Sequence, residues 1–281
     1  MRTVCVIGGS RYFGRHLIES LSAVAKVTLV NRGSMPAPPG VEHVIADRDS
    51  ASAMTAALGD RAFDVVIDQV CYTPDQARTA LEVFAGRTPR YVMTSTIEVY
   101  ADLEHSGPVA ETAVDPLTVP VRHGLREYAY GDGKRQAEAV LARESAFDFV
   151  SVRSTHVLGG HDFTGRLAHY KERIADGRPV AVHADPKPTC FVNDREIAAV
   201  LEWAAGADFT GVVNACSHGE LDVLALCEVI AAKVGRRPVY ERGESPYSFA
   251  RYYAMDNSRA TSLGFTFSHV SDWLEEAVAC A

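Results

Sequence analysis

A short apolar run over residues 3–7 passes directly into Gly8-Gly9-Ser10-Arg11-Tyr12-Phe13-Gly14, and a helical pattern follows over residues 16–24. This succession of strand, glycine turn and helix restricts the fold more than any other stretch of the chain. Gly8 and Gly9 permit a tight turn and a close approach of backbone to ligand, and Gly14 lets the helix lie near a sheet. The unbonded N–H groups at the helix start then face an anion held in the turn, with Ser10, Arg11, Tyr12 and Phe13 around it. A second apolar strand at residues 26–30 completes the opening of a doubly wound parallel α/β sheet that binds a dinucleotide. Glycines alone would indicate no more than a structural turn.

In such a sheet the end of the second strand meets the adenosine ribose. An acid there selects NAD, whereas this chain has Asn31-Arg32, so Arg32, helped by Arg11, is predicted to take a 2'-phosphate through its planar donor fork. NADP is the expected cofactor, with NAD the alternative if both arginines are solvated surface residues. A third strand over residues 41–46 ends at Asp47-Arg48, and a helix is expected over residues 50–58. The fourth strand, residues 64–67, delivers Asp68-Gln69-Val70-Cys71-Tyr72 to the carboxyl edge of the sheet, where ligands of this fold class bind. After a helix over residues 75–84, a fifth strand over residues 90–95 brings Ser95-Thr96-Ile97-Glu98-Val99-Tyr100 to the same edge. A hydroxyl there can donate to a substrate carbonyl as its oxygen gains charge. The plainer alternative is that Ser95 and Thr96 bond the strand's own backbone.

Tyr130-Gly131-Asp132-Gly133-Lys134 stands at the head of a helical run over residues 134–143. Four residues are just over one turn, so the phenol and the ammonium share a face. An ammonium held beside a phenol stabilises the phenolate and lowers its pKa from ~10, which makes Tyr130 a candidate proton donor and acceptor. Gly131 and Gly133 each cost a helix interior about 1 kcal/mol relative to alanine. They imply a frayed start or a close approach by another backbone or a ligand.

The long segment 102–126 leads into that helix, and its length points to function, with His123 a candidate substrate contact. A sixth strand over residues 148–152 ends at Arg153-Ser154-Thr155-His156, where His156 is a second candidate. Helices are expected over residues 163–176, 196–203, 221–234 and 270–278, a short strand over 211–214, and a return to the sheet over 187–192. The net charge of -8 counts against broad attraction to nucleic acid or an anionic membrane. No apolar run is long enough to span a bilayer, and no signal-peptide layout precedes Thr3, so a cytoplasmic protein is expected. The six cysteines and ten histidines lack paired ligand spacing, which predicts neither metal nor disulfides, and most of the cysteines read as small core residues.

The glycine loop, the Ser/Thr strand end and the Tyr-Lys pair, in this order, resemble the short-chain dehydrogenase/reductases. The likeness is to their extended or atypical branch, the NAD-dependent epimerase/dehydratase family, and it takes in Val30-Asn31-Arg32-Gly33, Ala46-Asp47-Arg48, Val99-Tyr100 and Cys190-Phe191-Val192. The resemblance implies a Rossmann fold with Tyr130 as catalytic acid/base and Lys134 holding the nicotinamide ribose and tuning the tyrosine. It implies Thr96, or Ser95 beside it, as the catalytic hydroxyl. Asp47 and Arg48 would neighbour the adenine, Val70 and Cys71 would line the cofactor channel, and two copies would pair through the Tyr-Lys helix. Arg11 replaces the middle glycine of the family's usual loop. Thr96-Ile97-Glu98 lacks the aspartate with which sugar-nucleotide dehydratases protonate a leaving hydroxyl, and the closing portion is short for a nucleotide-sugar enzyme.

The expected architecture is thus a Rossmann domain over residues 1–160 and 189–215, with a small C-terminal substrate lobe over 161–188 and 216–281. The expected activity is NAD(P)-dependent oxidation, reduction or epimerisation at a hydroxyl or ketone carbon of a polar small molecule, a sugar or sugar nucleotide among the candidates. Glu98, His123 and His156 are candidates for recognising it. The partners expected are this substrate and a second copy of the chain, with no nucleic acid and no membrane. The competing class is a non-catalytic nucleotide-binding or RNA-associated relative.

Overall fold

The computed structural model describes every residue of the chain except Ser145 and His161. In chain order the elements are β1 (Arg2–Ile7), α1 (Phe13–Val24), β2 (Ala25–Asn31), β3 (Glu42–Ile45), α2 (Ala51–Leu58), β4 (Val65–Asp68), α3 (Pro74–Phe84) and β5 (Arg90–Thr96). A 3-10 turn, Ile97–Tyr100, follows β5 directly. Then come α4 (Tyr130–Arg143), β6 (Asp148–Ser154), β7 (His156–Leu158), α5 (Arg166–Asp176), β8 (Val180–Val182), β9 (Thr189–Asn193), α6 (Asp194–Gly206) and β10 (Gly211–Ala215). The chain closes with β11 (Glu220–Leu221), α7 (Val223–Val234), β12 (Tyr240–Arg242), α8 (Ser258–Ser262) and α9 (Leu274–Cys280).

Seven strands form one sheet in the order β10-β6-β5-β4-β1-β2-β3. β1 pairs in parallel with β2 and β4, β2 with β3, and β4 with β5. This is the doubly wound topology, in which the strand order reverses beside β1. Because helices cover such a sheet on both faces, its strands read as unbroken buried runs, as β4 and β5 do here. β5 is buried throughout although it carries Arg90 and four hydroxyl residues. Arg90 survives there because its guanidinium donates to the carbonyls of Ala204 (2.8 Å) and Phe209 (2.9 Å). The helices start where the local chemistry predicts: Ser50 accepts from the Ala53 N–H at α2, and Thr73, followed by Pro74, accepts from the Gln76 N–H at α3.

The described chain divides into two compact units. The first is Met1–Ala101, Glu111–Arg153 and Ala198–Val213. Its core includes Ile7, Val30, Met54, Phe84, Met93 and Leu141, with Tyr91 stacked on Phe147 at 4.9 Å. The second is Asp102–Ala110, Ser154–Ile197 and Asn214–Ala281. Here β7, β9 and β11 form a separate three-stranded sheet, β8 pairs with β12, and α7 packs against α5 and α9 over Leu226, Ile230 and Trp273. Residues 187–192 therefore do not rejoin the large sheet: β9 pairs in parallel with β7 and antiparallel with β11. An apolar strand announces its burial but not its neighbours, which only tertiary pairing selects.

Most helix starts shift by a few residues from expectation, and two of the shifts are informative. α5 begins at Arg166 rather than residue 163, because Gly165 takes the left-handed conformation that precedes it. α4 begins at Tyr130, four residues early, and so contains both glycines. A Cβ on Gly131 would lie 2.2 Å from the Glu98 carbonyl oxygen, and one on Gly133 would lie 2.5 Å from that of Tyr72. The glycines are the places where α4 presses on the 3-10 turn after β5 and on the chain leaving β4. Close backbone approach, one of the two expectations for them, is the one realised.

Candidate active site

The glycine loop lies at the carboxyl end of β1. Gly8 and Gly9 have φ of 76° and 75°, the left-handed region open to glycine, and the Gly8 N–H donates to the Val30 carbonyl at 2.8 Å. A Cβ on Gly14 would stand 2.3 Å from the Gly9 carbonyl oxygen, so this glycine is what lets α1 close on the loop. Tyr12 also has a positive φ, 55°, unusual for a bulky residue; its buried ring packs on Phe13 at 5.7 Å. Among the described residues no side chain caps α1, and its first turn carries no acid. The partial positive charge of that helix end is thus left for an anion, as a dinucleotide pyrophosphate requires.

The loop is tied to the end of β2. Asn31 donates through Nδ2 to Ser10 Oγ (3.4 Å) and to the Met35 carbonyl (3.3 Å), and its Oδ1 accepts from the Gly33 N–H (2.7 Å) and from His43 Nε2 (2.9 Å). His43, absent from the sequence reading, fixes which way this amide points; no local signal marks it, because only the β2–β3 pairing brings it there. Arg32 and Arg11 are both exposed. Asp47 is exposed as well, and its carboxylate accepts from the Asp49 N–H. Arg48 is committed elsewhere: it pairs with the fully buried Asp68 and donates to the Gln76 carbonyl at 2.9 Å. Burial opposes the Arg48 charge, but Asp68 more than reverses this and raises its pKa. Asp68 further accepts from the Tyr91 hydroxyl (2.6 Å) and the Val70 N–H (2.8 Å), so the chain beyond β4 is anchored to a buried ion pair. Val70 packs against Gly8, where a Cβ would meet its methyl group at 2.6 Å. Cys71 is fully buried, which pushes its thiol up to about 12.

At the end of β5, Thr96 accepts from the Glu98 N–H at 3.2 Å and so caps the 3-10 turn, while Ser95 is buried. The hydroxyl proton of Thr96 is not used in that bond. Glu98 adjoins the start of α4 through its own carbonyl and Gly131. On α4, Tyr130 is half exposed, at 52%, and Lys134 is buried, at 1%. The Lys134 ammonium donates to the Thr94 carbonyl at 2.7 Å. It lies 4.5 Å from the ring centroid of Tyr72 and 6.0 Å from that of Tyr130, and the two rings are 6.2 Å apart. Burial lowers the Lys134 pKa to about 8, with Cys71, Asp68 and Glu138 opposing the fall.

Below Lys134 the same helix face carries Glu138, which meets Arg153 of β6 in an ion pair with both side chains fully buried. Burial would raise the Glu138 carboxyl; the Arg153 guanidinium overrides it and, with the Ser95 and Ser151 hydroxyls, holds the carboxyl below its ordinary range. Tyr130, Lys134 and Glu138 follow one another at intervals of four, so the spacing that singled out the first two also contained the third. His123 accompanies the Gly124 N–H in binding Asp75 at the start of α3, its Nδ1 3.1 Å from Oδ1. His156 lies in the second unit. It is buried among Phe191, Tyr247, Phe249 and Tyr253, and burial lowers its pKa to about 3, so it is neutral there. Among the described residues no group of three His, Cys, Asp or Glu side chains is arranged to hold a metal ion, and five of the six cysteines are buried.

The sequence model of the NAD dependent epimerase/dehydratase family matches residues 4–201. The chain belongs to this family. It is thus an enzyme of the oxidoreductase and epimerase kind by class. Solved structures give the same fold. A UDP-glucose 4-epimerase of Thermotoga maritima, solved with UDP-glucose, superposes with a TM-score of 0.80 at 18% identity over 99% of this chain and 98% of its own. A dTDP-glucose 4,6-dehydratase of Bacillus anthracis in complex with NAD gives 0.79 at 14% identity over 100% and 96%. A UDP-glucose 4-epimerase of Thermus thermophilus with NAD gives 0.77 at 18% over 99% and 98%. The likeness spans nearly the whole of each of these relatives. No curated protein sequence matches the chain.

Proposed function

We propose that the chain is a nicotinamide-dinucleotide-dependent oxidoreductase or epimerase acting at a hydroxyl or ketone carbon of a polar small molecule, with Tyr130 as its acid/base. The observation that carries this is the Lys134 ammonium, buried and held by Thr94 within 6.0 Å of the Tyr130 ring. A buried charge acts on a neighbouring phenol through a low dielectric and favours the phenolate. Tyr130 itself stays open to solvent, as a residue that exchanges a proton with substrate must be. Thr96 donates a hydrogen bond to the substrate oxygen and helps hold it as charge develops. The bound dinucleotide supplies or accepts the hydride.

The glycine loop and the uncapped start of α1 fit the pyrophosphate. The end of β2 carries no acid, and the exposed Arg32 with Arg11 supports a preference for NADP. Ile97, where a dehydratase would need its acid, is an apolar side chain buried in the turn, which favours oxidation, reduction or epimerisation over dehydration. Nucleotide sugars, held by solved relatives such as the Thermotoga enzyme, are the first substrates to try. The net charge of -8 supports no nucleic-acid partner. No described helix is long and apolar enough to cross a membrane. Pairing of two copies through α3 and α4 would bury the exposed Arg78 and Glu82 of α3, and α4 already holds residues 117–122, with Gln136 Oε1 accepting from the Arg122 N–H and Arg143 donating to the Leu117 carbonyl. A homodimer through these helices would therefore be polar and salt-sensitive.

Fluorescence titration with NADPH and NADH tests the cofactor site. NADPH is expected to bind at least tenfold more tightly, and Arg32→Ala to remove that gap of about 1.4 kcal/mol. Binding of neither nucleotide would sink the enzymatic assignment.

A further inference from the structure

We propose that Tyr72 is a positioning residue of this site: its ring face is the second contact of the buried Lys134 ammonium and holds that charge where it acts on Tyr130. The assignment rests on the acid/base role proposed above for Tyr130. The ammonium has few partners. It donates to the Thr94 carbonyl at 2.7 Å, and the Tyr72 ring covers it with the centroid 4.5 Å from Nζ, well within the range of a cation–π contact. A π face stabilises a desolvated cation without neutralising it.

The Tyr72 ring is built into place. Its N–H donates to Gln76 Oε1 at 2.6 Å, and its carbonyl sits against Gly133, where any Cβ would lie 2.5 Å away. Gly133 is the residue just before Lys134, so the same close approach that brings α4 down on Tyr72 sets the ammonium beneath the ring. The ring also adjoins Tyr130, 6.2 Å between centroids, and Tyr72 is itself 41% exposed whereas Lys134 is buried. The other charged and titratable groups that act on Lys134 are Cys71, Asp68, Glu138 and Arg48. Tyr72 differs from them in contacting both partners: the ammonium and the two rings form a triangle with sides of 4.5, 6.0 and 6.2 Å. Tyr72 keeps its own proton at neutral pH, since partial burial of the ring together with Tyr130 and Asp68 pushes its phenol up to about 12. It acts through its ring and not as a second acid/base.

The test reads the Tyr130 phenol directly and needs no substrate. Phenolate absorbance is titrated for the wild-type protein and for Tyr130→Phe, and their difference isolates Tyr130. The same difference is then taken in Tyr72→Phe and Tyr72→Leu backgrounds. The wild-type step is expected below the ordinary ~10; a step at or above that value overturns the acid/base role of Tyr130 whatever Tyr72 does. Given a lowered step, Tyr72→Phe should leave it in place, and Tyr72→Leu, which keeps the cover but lacks the ring, should move it up by roughly half a pH unit or more. An unmoved step in the Leu background, or an equal shift with Phe, overturns the role of the Tyr72 ring alone. Tyr72→Met, another ringless side chain of similar length, gives the same reading should the Leu variant fail to fold.

Discussion

Replacing Arg153 by methionine should be among the most damaging single changes the fold can suffer, although the residue lies beneath the surface chemistry of the site. Its guanidinium donates to Glu138 from Nε (3.1 and 3.2 Å) and Nη2 (2.6 Å), to the Tyr100 hydroxyl (2.8 Å), and to the carbonyls of Glu111 (3.1 Å) and Val114 (2.9 Å). It thereby ties β6 to α4, to the turn after β5 and to the segment after residue 110. Methionine would leave a fully buried carboxylate without its cation and three further acceptor or hydroxyl groups short of a donor. Breaking one side of such a pair costs about 3–5 kcal/mol, a large share of the 5–15 kcal/mol typical of a whole domain. Removing both charges with Arg153→Met/Glu138→Leu should cost about 2 kcal/mol less than the two single losses added together, because no uncompensated charge remains. Urea denaturation at pH 7.5, followed by circular dichroism, measures all four proteins of the cycle. The sign with pH is set by Glu138, whose folded pKa is depressed: its contribution is complete above the unfolded value near 4.5 and is lost as pH falls through the lower folded value. A cost below about 1 kcal/mol for Arg153→Met, or simple additivity in the double variant, would refute the reasoning.

Gly131→Ala gains about 1 kcal/mol in helix propensity but drives a methyl to 2.2 Å from the Glu98 carbonyl, so α4 must shift; a net loss of roughly 1–3 kcal/mol is expected, seen as a lower urea midpoint, and a more stable variant would contradict the close packing. Lys134 gives a pH signature of the same sign as Glu138 but in a higher window. Because its folded pKa lies near 8 against 10.5 for the free group, the folded state binds fewer protons between these values, and the wild type gains on Lys134→Met by about 3 kcal/mol as pH rises across that window. A stability difference that stays flat from pH 7 to 10 would show that the ammonium is not buried as described.

Several features of the site are legible in the chain because they are local. A tight turn needs glycine at Gly8 and Gly9, a helix start needs a hydroxyl such as Ser50 or Thr73, and a shared helix face needs only the spacing of Tyr130 and Lys134. Each of these depends on a few consecutive dihedral angles, and each is present in the fold. The family likeness follows from the same local segments. What the chain could not disclose depends on which strands become neighbours. Arg48 reads as a ligand-facing residue after a strand end, yet the crossing from β3 to β4 turns it onto Asp68. His43 reaches Asn31 only because β3 lies beside β2, and β9 pairs outside the large sheet although four of its five residues are buried like those of the strands within it. Tyr72, one residue among eleven tyrosines, acquires its place over Lys134 because Gly133 lets α4 descend onto its carbonyl. Sequence by itself determined the turn, the helix faces and the fold class, because short-range sterics and hydrogen bonding decide them. Tertiary structure alone decided which buried charge is paired, which ring covers the lysine and which candidates remain exposed, because Coulombic, desolvation and packing energies depend on distances between residues far apart in the chain.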